Sequence, residues 1–557
     1  MRREVSVVNK KVCSFPILFA LLALLIGTCA VVFPASAQAA PTSTGSITVS
    51  GTVASSYDAY QIFSANVVDG DSDAKIATDL AWASDAALPV LHSAGMPKSQ
   101  TTAQEAAEWL NTDSHLTSAL SAQLARSLQS SGAEPVALNA GTAAELPCGY
   151  WLIVAKDDAI AQGEAGTAPI MALVGGSAVT VKPKAATPKV SKHVLEGGTA
   201  AWQKAADATV GDDLYWRLSA TVPAGLTAYD TYAVQFVDTM SAGLDPSKVA
   251  ASMRVYVAAG ADGGFDAVQT GKDGRAGTEP AKGWTDITAQ CRVSADGKTF
   301  TVHTGDLIAA LGGADAFTAG ARVVAVYNAP LNSACNHGIA KGNPNEVYLR
   351  YPRSPFADQS GDAGFTRTPS DDACAYTWDL ALTKRGSDGD KPLAGAVLSI
   401  TDDRGRTLAA DGTWNAEGKA TVTTGEDGRV TVSGVDSGKL KVRELKAPKG
   451  YTAFEGARSV TVKAEGLDVD QVAAAKPKLT ITAESPLRAD SADGSTGSLE
   501  ASLINTPTGT PPSITTGGFM PSTGDMAMYA AAAAAVAGAA LIVVALLVKR
   551  GGGSHKE

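Results

Sequence analysis

Three observations predict a mainly β protein built from β-sandwich modules in tandem. Apolar and polar residues alternate over many short stretches, the period-two pattern of half-buried strands. Most of these stretches follow one another with no helical pattern between them, which points to antiparallel sandwiches rather than a parallel sheet with crossover helices. The chain has 557 residues, more than one such core fills, so about three modules are expected.

The first module, residues 40–184, follows a segment with the marks of a signal peptide, residues 1–39. There Arg2, Arg3, Lys10 and Lys11 precede the apolar stretch Ile17–Phe33, and Ala35-Ser36-Ala37 or Ala37-Gln38-Ala39 offers a small-residue cleavage site. Strands are expected at Ser46–Val53, Gly149–Val154 and Ala178–Val181. Between them a helical insertion is expected: Thr102 and Glu105 make a capping box, and Leu116, Leu120, Leu124 and Leu128 line one helical face. Asp69, Asp71 and Asp73 imitate the start of a calcium loop but lack its closing Glu, so they read as a solvated turn.

The second module, residues 185–374, carries the alternating stretch Asp213–Val222 with Leu214, Trp216, Leu218 and Ala220 on one face. Further strands are expected at Tyr232–Asp238, Met253–Val257, Thr299–Val302, Arg322–Tyr327 and Val347–Tyr351. The third, residues 375–507, has candidate strands at Tyr376–Lys384, Ala396–Thr401, Arg429–Val432, Lys439–Glu444, Ser459–Ala464, Lys478–Ala483 and Leu499–Asn505. Residues 508–519 are a Pro/Thr/Gly-rich spacer.

Residues 520–557 close the chain with Met520-Pro521-Ser522-Thr523-Gly524, an apolar run over 526–548, and Lys549 and Arg550. The run is long enough to cross a bilayer as a helix, and the cations hold its end in the cytoplasm. The formal net charge is −10. Without residues 1–37 and 525–557, which carry seven cations and three anions, it becomes about −14. That balance argues against nucleic acid as a partner. Cys148, Cys291, Cys335 and Cys374 remain, and the sequence leaves their three possible pairings open. No histidine pair has metal-ligand spacing, no phosphate-binding glycine loop is present, and no cofactor is implied.

Strand parity exposes six polar residues on apolar faces. Lys192 shares its face with Val190 and Val194, Asp238 with Val234 and Phe236, and Asn345 with Val347, Leu349 and Tyr351. Lys384 shares its face with Trp378, Leu380 and Leu382, Glu444 with Leu440 and Val442, and Asn505 with Ala501 and Leu503. Each of the last two modules therefore turns one Lys, one acid and one Asn inward. Asn343 has the same parity as Asn345 and is the alternative in the second module. Burial lowers a lysine pKa and raises a carboxyl pKa, so both groups can be neutral. A neutral amine held against a carboxamide can attack it and expel ammonia while the acid carries the proton. The product is a Lys–Asn isopeptide bond, Lys192–Asn345 in one module and Lys384–Asn505 in the other, promoted by Asp238 and Glu444.

The chain resembles the major backbone subunits of sortase-assembled Gram-positive pili. Lys441-Val442-Arg443-Glu444-Leu445-Lys446-Ala447-Pro448-Lys449-Gly450-Tyr451 resembles the pilin E-box, with Leu445 where Thr is usual. Leu393-Ala394-Gly395-Ala396 resembles the start of the B-type immunoglobulin-like module of collagen adhesins, and Gly342–Val347 resembles the Asn-bearing strand of the middle pilin domain. Met520–Gly524 resembles a sorting signal, with Met520 in place of Leu. Val179–Lys184 resembles the pilin motif, with Lys182 in place of Tyr and Gly175 where a Trp is usual.

The resemblance implies tandem immunoglobulin-like β-sandwiches and a structural protein rather than an enzyme. It also implies sortase cleavage between Thr523 and Gly524 and transfer to Lys184 of the next subunit, with Lys182 and Lys189 as alternative acceptors. The implied partners are sortase, identical subunits, cell-wall peptidoglycan, accessory pilins and a host ligand. The implied location is a wall-anchored surface pilus, membrane-inserted before sorting. The alternative is a monomeric wall-anchored adhesin of similar modules.

Overall fold

The structure, a computed structural model, describes residues 43–509 apart from 72–73, 113, 167, 184–186, 225 and 261–263. The signal segment, Lys184, Met520–Gly524 and the apolar run 526–548 lie outside the described residues. Among the described residues no helix is long and apolar enough to cross a membrane.

At the N-terminal end, strand Thr44–Val49 lies between Ala143–Pro147 and Val179–Val181 in a three-stranded sheet. A five-stranded sheet is organised on the long strand Ser56–Asp69, which pairs with Lys75–Trp82, Val136–Asn139 and Gly149–Ala155. Ile47, Val49, Tyr57 and Trp151 fill the space between the sheets. The outer face of the second sheet is covered by the helical insertion, where Ile62 and Phe63 meet Leu91, Leu124 and Leu128.

The capping box forms as its residue types demand. Thr102 accepts from Glu105 N, and the Glu105 carboxylate returns to Thr102 N at the head of helix Ala103–Asn111. Helix Ser118–Ser130 is capped by Thr117, so Leu116 falls just ahead of it. A third helix, Ala87–Ser93, was too short to show a period in the sequence. Asp69 does more than face water: it accepts from Ser177 N at 2.8 Å and from Lys75 at 3.2 Å, tying the hairpin to a neighbouring loop. Among the described residues no acidic group is arranged to hold a metal ion.

The middle sandwich packs a six-stranded sheet on a seven-stranded one around Trp216, Leu218, Phe236, Val302, Tyr327 and Leu349. Its pairings are antiparallel except that Ala205–Asp207 runs parallel to Asp371–Tyr376. This last strand serves two cores by alternation. Ala373 and Ala375 face the middle core, while Cys374 and Tyr376 face the C-terminal one.

The C-terminal sandwich packs a five-stranded sheet on a seven-stranded one. Its first strand, Trp378–Gly386, runs parallel to its last, Ser498–Pro507, with Lys384 opposite Leu503 and Gly386 opposite Asn505. This departs from the all-antiparallel expectation. A parallel pair needs a long connection, and here the rest of the sandwich supplies it.

The seam between these two sandwiches is polar and closely fitted. Asp207 accepts from Trp378 Nε1 at 2.6 Å and from Ser437 N at 2.8 Å, and Arg406 Nη2 reaches Asp212 at 2.8 Å. All four cysteines in the described residues are free thiols.

Candidate functional site

Two buried polar clusters stand out, one per sandwich. In the middle sandwich Lys192, Asp238 and Asn345 are all fully buried. Strand Val190–Glu196 belongs to the six-stranded sheet and places Lys192 among Val194, Trp216 and Leu218. Strands Gln235–Met240 and Asn343–Pro352 are neighbours in the opposite sheet. Asp238 stands opposite Val347 and Met240 opposite Asn345, so the acid and the amide share one inward face.

The Lys192 Nζ donates to Asp238 Oδ2 and to the Tyr327 hydroxyl, the latter at 3.0 Å. Tyr327 donates to Asp238 Oδ2 at 3.0 Å and accepts from Asn345 Nδ2 at 2.7 Å. Asp238 Oδ1 and Asn345 Oδ1 are buried with no hydrogen-bond partner. Trp216 and Tyr327 present their rings to the amine, each centroid 5.5 Å away. Burial pulls the Lys192 amine down to about 8 against the opposing pull of Asp238. Burial likewise raises the Asp238 carboxyl, with Lys192 restraining it. Each partner is thus biased toward its neutral form.

In the C-terminal sandwich Lys384 is fully buried, Asn505 is 2% exposed and Glu444 is 6% exposed. Lys384 and Asn505 come from the parallel strands of one sheet, and Glu444 from strand Gly438–Lys446 of the other. Lys384 Nζ lies 3.5 Å from Glu444 Oε1 and donates to Leu503 O at 3.2 Å. Asn505 Nδ2 donates to both Glu444 oxygens, at 2.9 and 3.0 Å, and Phe454 N donates to Oε2 at 3.2 Å. Asn505 Oδ1 has no partner. Burial pulls the Lys384 amine down to about 8.

The chemistry open to these clusters follows from the orphaned oxygens. A half-turn of either carboxamide presents its oxygen to the neighbouring acid or phenol. A protonated donor there polarises the carbonyl for attack by a neutral amine.

The structure brings both sequence-derived triples together. The alternative acceptor Asn343 is placed elsewhere: its Nδ2 donates to Asn336 O and Ala375 O, and its Oδ1 accepts from Asn336 N at 2.8 Å. That side chain closes a loop onto the strand. Sequence reasoning missed Tyr327. Its strand was legible, and its parity with Val323 and Ala325 was the available signal. A tyrosine on an apolar face draws no notice, because its ring belongs there. Of the acceptor candidates for polymerisation, Lys182 and Lys189 are exposed and Lys184 is outside the described residues.

Comparison with known proteins adds a domain assignment. Residues 379–476 match the SpaA prealbumin-like fold domain family. The matched stretch is similar to a SpaA-type prealbumin-like domain. It holds Lys384 and Glu444 but ends before Asn505. A 134-residue stretch is 31% identical to the trypsin-resistant surface T6 protein of Streptococcus pyogenes serotype M6, and spans 23% of each chain. Among solved structures, the T6 backbone pilin of serotype M6 Streptococcus pyogenes aligns over 84% of this chain and 98% of its own, at 17% identity and a TM-score of 0.46. The full-length major pilin SpaD of Corynebacterium diphtheriae aligns over the same shares, 84% and 98%, at 14% identity and a TM-score of 0.40.

Proposed function

We propose that this protein is the structural shaft subunit of a covalently polymerised surface pilus, with residues 40–184, 185–374 and 375–507 as successive modules. One observation carries the reading: each of two successive sandwiches seals a lysine, an acid and an asparagine into one contact cluster in its core. Unreacted, such a cluster is costly, because a buried cation and an orphaned amide oxygen both lose hydration. Reacted, it is a neutral amide.

The lysine nitrogen bonds to the carboxamide carbon, the carbon–nitrogen bond of the amide breaks, and ammonia leaves. Asp238 or Glu444 takes the proton from the amine and delivers it to the leaving nitrogen. The bonds formed are Lys192–Asn345 and Lys384–Asn505. Both join distant parts of the sequence, so tension along the chain is borne by covalent bonds. Polymerisation is assigned to sortase, cleaving between Thr523 and Gly524 and joining Thr523 to Lys184 of the next subunit, with the last subunit passed to peptidoglycan.

The test has two arms. Intact mass of the purified protein is expected to fall below the sequence mass by two ammonias, with tryptic peptides joined at Lys192–Asn345 and Lys384–Asn505. Wall extracts boiled in detergent are expected to give a high-mass ladder that Lys184→Ala reduces to monomer. Separate, unmodified peptides from folded protein sink the crosslinks. A wild-type extract with monomer alone sinks the shaft and leaves a monomeric adhesin.

A further inference from the structure

The seam between the middle and C-terminal sandwiches holds a second constellation, unrelated to the amide clusters. Cys335 Sγ lies 3.6 Å from His337 Nε2, and His337 Nδ1 lies 2.7 Å from Asp379 Oδ2. The other oxygen of Asp379 accepts from Ser433 Oγ at 2.6 Å and from Gly434 N at 3.0 Å. A carboxylate held by three such contacts is an acceptor throughout, so His337 Nδ1 is the donor of its pair. With Nδ1 the donor, the neutral tautomer of the ring is the one that turns an unprotonated Nε2 toward the thiol. Nucleophile, base and orienting acid stand in the order of a hydrolase triad.

The loop that carries Cys335 and His337 is pinned from both sides. Cys335 N donates to Asn332 O at 3.1 Å and Asn336 N to Asn343 Oδ1 at 2.8 Å. Gly338 N donates to Thr377 O at 3.1 Å. Gly338 has φ +74°, and a Cβ there would fall 2.5 Å from Gly497 N, so only glycine lets the loop lie against the C-terminal sandwich. Asp379 N in turn donates to Gly497 O at 2.8 Å. The loop belongs to the middle sandwich and Asp379 to the first strand of the next. The triad is therefore complete only while the two are docked.

We propose that Cys335 is a nucleophilic thiol, with His337 as its base and Asp379 as the positioning residue, that exchanges with low-molecular-weight disulfides. Burial and the charge of Asp379 push the thiol up, so its resting form is neutral and it needs a base at the moment of attack. In the exchange, Cys335 Sγ bonds to one sulfur of the disulfide and the sulfur–sulfur bond breaks. The thiol proton passes to His337 Nε2 and from there to the departing thiolate, so atoms and charge balance. Displacement at sulfur builds no oxyanion and needs no oxyanion hole, which suits a site whose groups supply only proton transfer. Burial sets the substrate class: Cys335 is 9% exposed and the His337 side chain 25%, too little for a folded protein to bring a disulfide to the sulfur, so only a small disulfide is proposed.

The test uses the folded full-length chain and dithiodipyridine, a small neutral disulfide, with adducts mapped by mass spectrometry. Cys335 is expected to take the first equivalent, with Cys148, Cys291 and Cys374 slower by about a hundredfold, the scale of positioned general-base catalysis. His337→Gln is expected to slow Cys335 by a similar factor without a change in melting temperature. Asp379→Asn, which frees the tautomer, is expected to slow it and alter its pH–rate profile. A first adduct on any other cysteine overturns the proposal. So does a folded His337→Gln protein that reacts as fast as wild type. If that variant does not fold, a wild-type pH–rate profile that follows thiol ionisation alone overturns it.

Discussion

The two amide clusters use the same three residue types in different architectures. In the middle sandwich the lysine comes from one sheet while the acid and the asparagine come from the other, so a Lys192–Asn345 bond staples sheet to sheet. In the C-terminal sandwich the lysine and the asparagine sit on adjacent parallel strands and only the acid reaches across, so a Lys384–Asn505 bond reinforces a pair already joined by a ladder. The chemistry differs accordingly. Glu444 contacts both reacting side chains directly, whereas in the middle cluster Tyr327 stands between Lys192 and Asn345 and passes contact from one to the other. The requirement common to both is a dry interior that biases the lysine amine toward its neutral form beside an acid and an amide. The fold supplies that whether the bond runs within a sheet or between sheets.

Removal of the acid where the cluster is most completely sealed is expected to have the largest effect. Asp238→Ala leaves Lys192 with no carboxylate in a site of zero exposure. An unpaired buried charge costs about 3–5 kcal/mol. Loss of a crosslink closing a loop of about 100 residues or more returns roughly 4–5 kcal/mol of chain entropy to the unfolded state, by analogy with disulfides. The protein is expected to melt well below wild type and to gain one ammonia in mass after allowance for the substitution. An unchanged crosslink count would remove Asp238 from the mechanism.

Glu444→Ala is expected to cost less. The Glu444 side chain is as fully buried as that of Asp238, but Lys384 keeps a hydrogen bond to Leu503 O when the acid is removed. The parallel ladder between the first and last strands survives the loss of the bond. We expect retained folding, one ammonia gained, new trypsin sensitivity confined to the C-terminal sandwich, and destabilisation of several kcal/mol, dominated by the loop term. If Glu444→Ala destabilises as much as Asp238→Ala, the contrast between stapling sheets and reinforcing a ladder fails.

Tyr327→Phe separates the two clusters most cleanly. It removes only the hydroxyl that joins Lys192 to Asn345 and keeps the ring, which packs edge-on against Phe300 at 5.0 Å. The fold is expected to lose about 1 kcal/mol for the hydrogen bonds. The Lys192–Asn345 bond is expected to form slowly or in part, with Lys384–Asn505 complete. Time-resolved peptide mapping of freshly made protein reads both in one sample. Equal rates at the two sites would make Tyr327 a spectator.

Tyr327 also marks the limit of what the sequence disclosed. The six inward polar residues were legible because a charge or an amide breaks a period-two apolar pattern, and alternation fixes its side of the sheet. The modular β architecture and the capping box were legible for the same local reasons. Tyr327 was not, since an aromatic residue fits the pattern whether or not its hydroxyl acts. The parallel pairing of the first and last C-terminal strands was not, because parity fixes the face of a strand and not its neighbour. Nor was the Cys335–His337–Asp379 array, whose third member joins from another sandwich. The strand Asp371–Tyr376 adds a further case: its alternation is apolar on both sides because it serves two cores.

The last test asks whether the lysines are free amines when their partners are absent. In Asn505→Ala the Lys384 amine persists, with an ordinary pKa of 10.5 unfolded and about 8 in the fold. Below about 8 both states hold the proton and the burial penalty is present in full. Between about 8 and 10.5 the unfolded state still binds a proton that the folded state has released, so stability rises with pH, and above 10.5 the gain is complete. The slope for one proton is at most about 1.4 kcal/mol per pH unit. On the proposed reading wild type has Lys384 in an amide and lacks this contribution, and subtraction of its curve removes every other titration the two proteins share. Asn345→Ala is expected to show the same rising limb from Lys192, whose amine is also near 8. It should carry in addition a limb of opposite sign at lower pH. The Asp238 carboxyl is raised above 3.8 by burial, so stability is lost as pH climbs from there through its folded value. Urea unfolding of both variants and wild type across that range measures the difference. A flat difference for Asn505→Ala between pH 8 and 10.5 would mean that Lys384 is not the free, buried amine that the amide chemistry requires.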